Sequence, residues 1–186
     1  MTVEIRAATR GDLSAVIAIE RASFGDPWTS GMFSVYLSDP AKGFFVATAE
    51  NSVAGYTITR RVAEESELLN IAVEPASRGR GIGGLLLDAC IRRCAAEGAV
   101  EMWLEVRASN VSARALYAAR GFSEMGVRKR YYEAPREDAI LLRATLGPAP
   151  TADGNETVIP NGRSLNGASD ELILSRASHH PRQETQ

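Results

Sequence analysis

The run Arg78-Gly79-Arg80-Gly81-Ile82-Gly83-Gly84 is the stretch of this chain whose residue types and spacing most directly specify chemistry. Glycines let consecutive backbone N–H groups turn toward one point without Cβ clashes. The helix expected to begin there adds the positive end of its dipole, and Arg78 and Arg80 flank the turn. Together they describe a pocket for a phosphate-bearing ligand, a pyrophosphate above all. Gly79, Gly81 and Gly84 also satisfy G-x-G-x-x-G, the dinucleotide-binding fingerprint, and Glu105 supplies an acidic residue at the end of the next strand. Two features oppose that rival. Residues 74–78 intervene between strand and first glycine, and the run follows three strand candidates instead of opening a repeated β-α-β set. A glycine-rich helix start with no ligand is a further reading, but it leaves the arginines and the crowded glycines unexplained.

The other reactive side chains narrow the chemistry. Both histidines, His179 and His180, lie near the C-terminal end, so residues 1–146 hold none. That excludes a Ser-His or Cys-His nucleophile pair and a histidine-ligated zinc site from this stretch, and no metal is expected. Cys90 and Cys94 sit one helical turn apart and read as small buried hydrophobes. Acid–base chemistry falls to carboxylates and tyrosines.

Several elements must position these groups. Residues 2–8 alternate as an edge strand, and Thr9 caps a helix to about Ser23 with Leu13, Val16, Ile17 and Glu20 on one side. Gly25-Asp26-Pro27 breaks it, and Thr29 opens a short helix to about Leu37. Strand candidates follow at 43–49, 53–61 and 67–73, with Asn51-Ser52 as the first turn. The helix after the glycine run spans 82–97 and ends at Gly98. In the strand at 99–106, Val100, Met102, Leu104 and Val106 face one way, Trp103 and Glu105 the other. Asn110 starts a helix to about Arg120, Gly121 stops it, and strands at 122–132 and 137–146 finish the set. Helices interspersed with a mixed sheet make this an α/β fold.

The chain has 186 residues, enough for one domain, here 1–146, plus a tail at 147–186 whose Pro, Gly, Ser, Asn and Thr content reads as mostly disordered. Within that tail, residues 171–174 could form a helical turn or dock. Residues 1–146 carry 18 Lys+Arg and 18 Asp+Glu, so no polyanion-binding face is indicated and no nucleic-acid partner is expected. No apolar run is long enough for a membrane span, the N-terminus lacks a signal-peptide layout, and a cytoplasmic location is expected.

With these residues in view, the chain resembles the GNAT acyltransferase superfamily. Arg78-x-x-Gly81-x-Gly83, preceded by Ile71-Ala72-Val73, is similar to its acetyl-CoA motif. Trp103–Asn110, Ala115-Leu116-Tyr117 with Gly121-Phe122, Arg128–Tyr132 leading to Glu137-Asp138-Ala139, and Phe24–Trp28 resemble the RimI-type protein N-terminal acetyltransferases. The resemblance covers about residues 2–146. It implies a single GNAT domain with a mostly antiparallel mixed sheet flanked by helices on both faces. The Ile71–Val73 strand would be splayed from its neighbour and hold the pantetheine arm. Gly79, Arg80, Gly81, Ile82, Gly83 and Gly84, with Arg78, would surround the pyrophosphate, and Asn110 would lie close by. Glu105 would be the general base and Tyr117 the general acid, while Trp28, Tyr131 and Tyr132 would frame the acceptor peptide. It also implies acetyl-CoA as co-substrate and the N-terminal alanine of a small-subunit ribosomal protein as acceptor. A monomer is favoured. The connection Glu133-Ala134-Pro135-Arg136 is shorter than the family's hairpin loop, which bears on the peptide side.

The chemistry is coherent with the residues. An α-amino group titrates near 8, so a carboxylate can take its proton at neutral pH directly or through one water. A tyrosine hydroxyl, less acidic than a thiol, can protonate a leaving thiolate. The backbone N–H of Val73 is a candidate for polarising the thioester carbonyl. Each residue also has a plainer role: Glu105 as a solvated or ion-paired strand residue, Tyr117 as core packing, Asn110 as a helix cap, Tyr131 and Tyr132 as strand aromatics. Transfer to another protein or a small amine, and a non-catalytic acyl-CoA-binding module, are the alternatives.

Overall fold

The computed structural model describes residues 2–39, 42–147 and 175–176. In chain order its elements are β1 (Val3–Ala7), α1 (Leu13–Ser23), α2 (Ser30–Leu37), β2 (Gly43–Ala49), β3 (Ser52–Val62), β4 (Glu65–Val73), α3 (Ile82–Ala96), β5 (Glu101–Arg107), α4 (Val111–Ala118), β6 (Ser123–Glu133), β7 (Arg136–Thr145) and a two-residue β8 (Ser175–Arg176). The strands line up as β1-β2-β3-β4-β5-β7-β6. Neighbours on that path are antiparallel except β4 and β5, which run parallel.

Alternation along the strands sends side chains to two faces. On one, Ile71, Val73, Leu104 and Val106 pack with Leu86, Leu87 and Cys90 of α3 and Tyr117 of α4. On the other, Val46, Tyr56, Leu69 and Ala72 pack with Val16 and Ile19 of α1 and Phe33 and Tyr36 of α2. Two helices stop where the backbone turns left-handed: Gly98 (φ 90°) follows α3 and Gly121 (φ 82°) follows α4. Thr29 and Asn110 cap α2 and α4, accepting from the N–H of Met32 and Ala113. Cys90 and Cys94 are both buried, and burial pushes the Cys90 thiol up to about 12, which suits packing and not reactivity.

The structure departs from the sequence reading in places. Thr9 caps not α1 itself but the 3-10 turn that leads straight into it. The Asp12 carboxylate accepts from the Thr9 backbone N–H (2.7 Å) and hydroxyl (2.7 Å), and from the Arg6 guanidinium, which holds a 3-10 turn at Arg10–Asp12 ahead of the helix. Ser52 belongs to β3, and the turn before it uses Glu50 and Asn51 at positive φ. Val100 precedes β5 and is 49% exposed, so it does not share the buried face of Met102 and Leu104. In β6 the register against β7 jumps between Arg128 and Tyr132. Asp138 supports that bulge by accepting from the backbone N–H of Arg130 (2.8 Å), whose φ is 54°, and from Lys129 Nζ (2.8 Å). The expectations for 148–174 and 177–186 lie outside the described residues.

Candidate active site

The parallel pairing of β4 with β5 lasts three rungs, Glu65 with Glu101, Ser66 with Met102 and Glu67 with Trp103. Beyond Glu67 the two strands part and leave a wedge walled by residues 68–73 and 104–107. Ile71, Ala72 and Val73 are buried on the β4 wall and held from behind by β3. The backbone of Ser175–Arg176 runs antiparallel to β4 in this region, Arg176 opposite Asn70 and Ser175 opposite Ile71. Gly55 on β3 sets how closely α3 approaches. A Cβ there would stand 2.9 Å from the Ala72 carbonyl oxygen and 3.1 Å from Leu86 Cδ1. Periodicity gave no signal for this residue.

Past β4 the chain turns through Pro75–Ser77 and reaches the glycine run. Gly79 (φ 76°) and Gly81 (φ 75°) are left-handed, and a Cβ on either would meet no atom within 4 Å. The turn is therefore open on its outer side, with Gly81 at the N-cap of α3 and Ile82, Gly83 and Gly84 in its first turn. Gly84 has a packing neighbour: a Cβ would stand 2.5 Å from Arg120 Nη2, whose guanidinium binds Asp88. Arg80 is exposed beside the turn. Arg78 points inward, which differs from the expectation that it flanks a phosphate. Its Nε donates to the Val73 carbonyl (3.1 Å) and its Nη2 to Ser23 Oγ (3.1 Å). Burial lowers its pKa. Its place in the structure is to tie the end of β4 to the end of α1.

Glu105, on the β5 wall, is 5% exposed and alternates with Leu104 and Val106, so it faces the α1/α2 side. Its Oε1 pairs with Arg128 Nε at 2.9 Å. Tyr117 is fully buried on α4, its ring edge-on to Phe122 at 5.6 Å. Tyr132 lies between them electrostatically. Burial raises its hydroxyl pKa, and the charge of Glu105 and the neighbouring Tyr131 and Tyr117 push the same way, against Arg107. Tyr132 on β6 thus feels both Glu105 on β5 and Tyr117 on α4, although Tyr117 packs on the α3 side of the sheet and Glu105 faces the α1/α2 side. Asn110 is the helix cap, its Oδ1 accepting from the Ala113 N–H at 3.0 Å.

On the acceptor side Trp28 is buried. Its indole is 3% exposed, stacked on Tyr36 at 5.3 Å and tilted against Phe33 at 5.6 Å. By joining this cluster Trp28 anchors the α1–α2 loop. Its backbone N–H donates to Glu20 Oε1 (2.8 Å), and the other oxygen of that fully buried carboxylate accepts from the Tyr56 hydroxyl and from Asn70 Nδ2 (3.3 Å). Tyr131 and Tyr132 meet edge-on at 5.3 Å, with Arg128 over the first ring and Arg107 over the second. Arg107 also donates to the carbonyls of Ala134 and Pro135 and pairs with Glu137. It locks the short β6–β7 turn, and a Cβ on Gly25 would lie 3.5 Å from the Ala134 carbonyl oxygen, so the α1–α2 loop abuts that turn. Arg107 was not singled out from sequence, because its role depends on contacts with residues 134–137.

A wedge in the sheet, a glycine turn at a helix N-terminus and an inward carboxylate together define an acyl-CoA-type acyltransferase site. By comparison the chain belongs to the acetyltransferase (GNAT) family, whose profile matches residues 13–122, and it is an acetyltransferase. The ribosomal protein bS18-alanine N-acetyltransferase of Salmonella typhimurium is 38% identical over 143 residues, 76% of this chain and 95% of that protein. The putative enzyme of the same name from Bacillus subtilis is 34% identical over 136 residues, 73% of this chain and 90% of that one. The crystal structure of the ribosomal-protein-S18-alanine N-acetyltransferase from Escherichia coli matches with a TM-score of 0.73 at 33% identity, covering 83% of this chain and all of that one. The fold expectation, a mostly antiparallel mixed sheet with helices on both faces, agrees with this family. Among the described residues no group of three or more His, Cys, Asp or Glu is gathered as for a metal. No helix there is long and apolar enough to cross a membrane.

Proposed function

We propose that residues 1–146 form the catalytic domain of a cytoplasmic enzyme that transfers acetyl from acetyl-CoA to the α-amino group of the N-terminal alanine of ribosomal protein bS18. The observation that carries the reading is the buried Glu105 carboxylate on the β5 wall of the β4/β5 wedge. The acceptor rests on the names of relatives at 33–38% identity.

The residues fit the co-substrate. Open left-handed glycines at the mouth of α3 offer backbone N–H groups to a pyrophosphate. The β4 edge at Ile71–Val73 offers backbone groups to a pantetheine arm, and Asn110, which caps α4, would lie beside the cofactor. When bound, acetyl-CoA supplies an activated thioester. Glu105 then accepts a proton from the acceptor ammonium, because only the free amine attacks. Tyr117 gives its hydroxyl proton to the leaving sulfur. Tyr131 and Tyr132, on the bulged β6, frame the peptide.

The test is acetylation of a library of N-terminal peptides by the full chain, read by mass spectrometry beside spermidine and aminoglycosides. Modification concentrated on Ala-starting peptides supports the reading. Preference for a small amine replaces the acceptor, and absence of acetyl-CoA binding removes the catalytic site.

A further inference from the structure

Asn70 lies outside every role assigned above, yet its environment is unusual. It is fully buried, and its Oδ1 has no hydrogen-bond partner among the described residues. A buried carbonyl oxygen in that state carries a free-energy penalty, and native structures mostly avoid it. The orientation of the amide is fixed chemically. Nδ2 donates to Glu20 Oε2, and the reverse placement would set two oxygens against each other. Oδ1 is thereby directed away from Glu20.

Its position in the sheet says what it could serve. Asn70 lies three residues past the last rung joining β4 to β5, Glu67 with Trp103. Parallel strands advance together, so residues 69–70 are level with 105–106 across the wedge. The bulge against β3 at Ile58/Thr59 turns Leu69 and Asn70 both toward the α1/α2 side. Glu105 faces the same side. The wedge therefore has, at one level and on one face, a carboxylate on its β5 wall and a neutral carbonyl oxygen on its β4 wall. The edge at Asn70 also accepts an extended backbone, since Arg176 pairs with it.

We infer that Asn70 is an amine-orienting residue: its Oδ1 accepts one N–H of the acceptor's amino group while Glu105 accepts another. An ammonium has three N–H bonds. Breaking the one aimed at Glu105 forms the carboxylic O–H and leaves a neutral amine with its new lone pair. Asn70 cannot take a proton, so its hydrogen bond persists and fixes where that lone pair points. This inference rests on the proposed acetyl transfer to an amine.

The test uses the full chain, acetyl-CoA and a peptide beginning Ala-Arg. Losing one hydrogen bond to a charged group lowers kcat/KM for the peptide by about tenfold to a hundredfold in Asn70→Ala. The Kd for acetyl-CoA and the rate of its hydrolysis without peptide stay within twofold. Asn70→Ser, which keeps a shorter-reaching oxygen, falls between. Peptide turnover within twofold of the unaltered chain, or acetyl-CoA binding that weakens in step with turnover, overturns the inference. If Asn70→Ala does not fold, Asn70→Ser decides on the same criteria. No turnover by the unaltered chain removes the proposed function as well, so the two failures are distinguishable.

Discussion

Arg128 Nε stands 2.9 Å from Glu105 Oε1, an ion pair between a half-exposed guanidinium and an almost fully buried carboxylate. The pair holds the carboxylate in place without sealing it off, since the exposed partner can move. Glu105→Gln keeps the shape and removes the proton acceptor. Its kcat should fall about a hundredfold or more, with acetyl-CoA affinity retained in calorimetry. Arg128→Ala should lower kcat by less than about tenfold, because it removes only an exposed partner. Equal losses from the two variants would mean that turnover needs the intact ion pair and not the Glu105 carboxylate alone.

Tyr117→Phe separates chemistry from packing. The ring against Phe122 is kept and only the hydroxyl is lost. If that hydroxyl protonates the leaving thiolate, kcat drops about tenfold to a hundredfold with little change in Tm. A fall in Tm with kcat intact would make Tyr117 a core residue alone.

The parts legible in the sequence were those set by local rules. The caps Thr29 and Asn110, the stops Gly98 and Gly121, and the alternation of Met102, Leu104 and Val106 follow from short-range sterics and periodicity. Residues whose roles depend on distant partners were not legible. Gly55 shows its constraint only once Leu86 of α3 lies over it. The packing of Trp28 beyond its Gly-Asp-Pro break shows only once Phe33, Tyr36 and Glu20 enclose it. The bulge at 129–131 needs Asp138 from β7, and Arg78 reads as a phosphate ligand until the Val73 carbonyl and Ser23 claim it.

Asp12 makes acid stability testable. Its hydrogen bonds with the Arg6 guanidinium and with Thr9 hold its carboxyl well below the usual carboxylate range, against the opposing effect of burial. A folded-state pKa below the unfolded one near 3.9 gives stability that is complete above that value. It is lost as pH falls through the folded pKa. Asp12→Asn should therefore be less stable than the parent at pH 7, by about 1 kcal/mol given the partial exposure of Arg6. Urea titrations should show the two converging below about pH 4. A constant difference across that range would mean that the charge of Asp12 contributes nothing to holding the turn.

The strand Ser175–Arg176 covers the β4 edge at Ile71, which the proposed pantetheine arm would need, and at Asn70, which the proposed acceptor would need. Two occupants cannot share one row of backbone donors and acceptors, so binding must displace the strand. Proline lacks an N–H and cannot sit inside a ladder. The double substitution Ser175→Pro, Arg176→Pro in the full chain should therefore release the edge and leave the domain intact. A short pairing is worth about 1 kcal/mol, which corresponds to roughly fivefold tighter acetyl-CoA binding in calorimetry. Kinetics should agree, with a lower KM for acetyl-CoA and little change in kcat. An unchanged Kd would show that the cofactor leaves the Asn70–Ile71 edge alone, whereas weaker binding would mean that the tail strand completes the site.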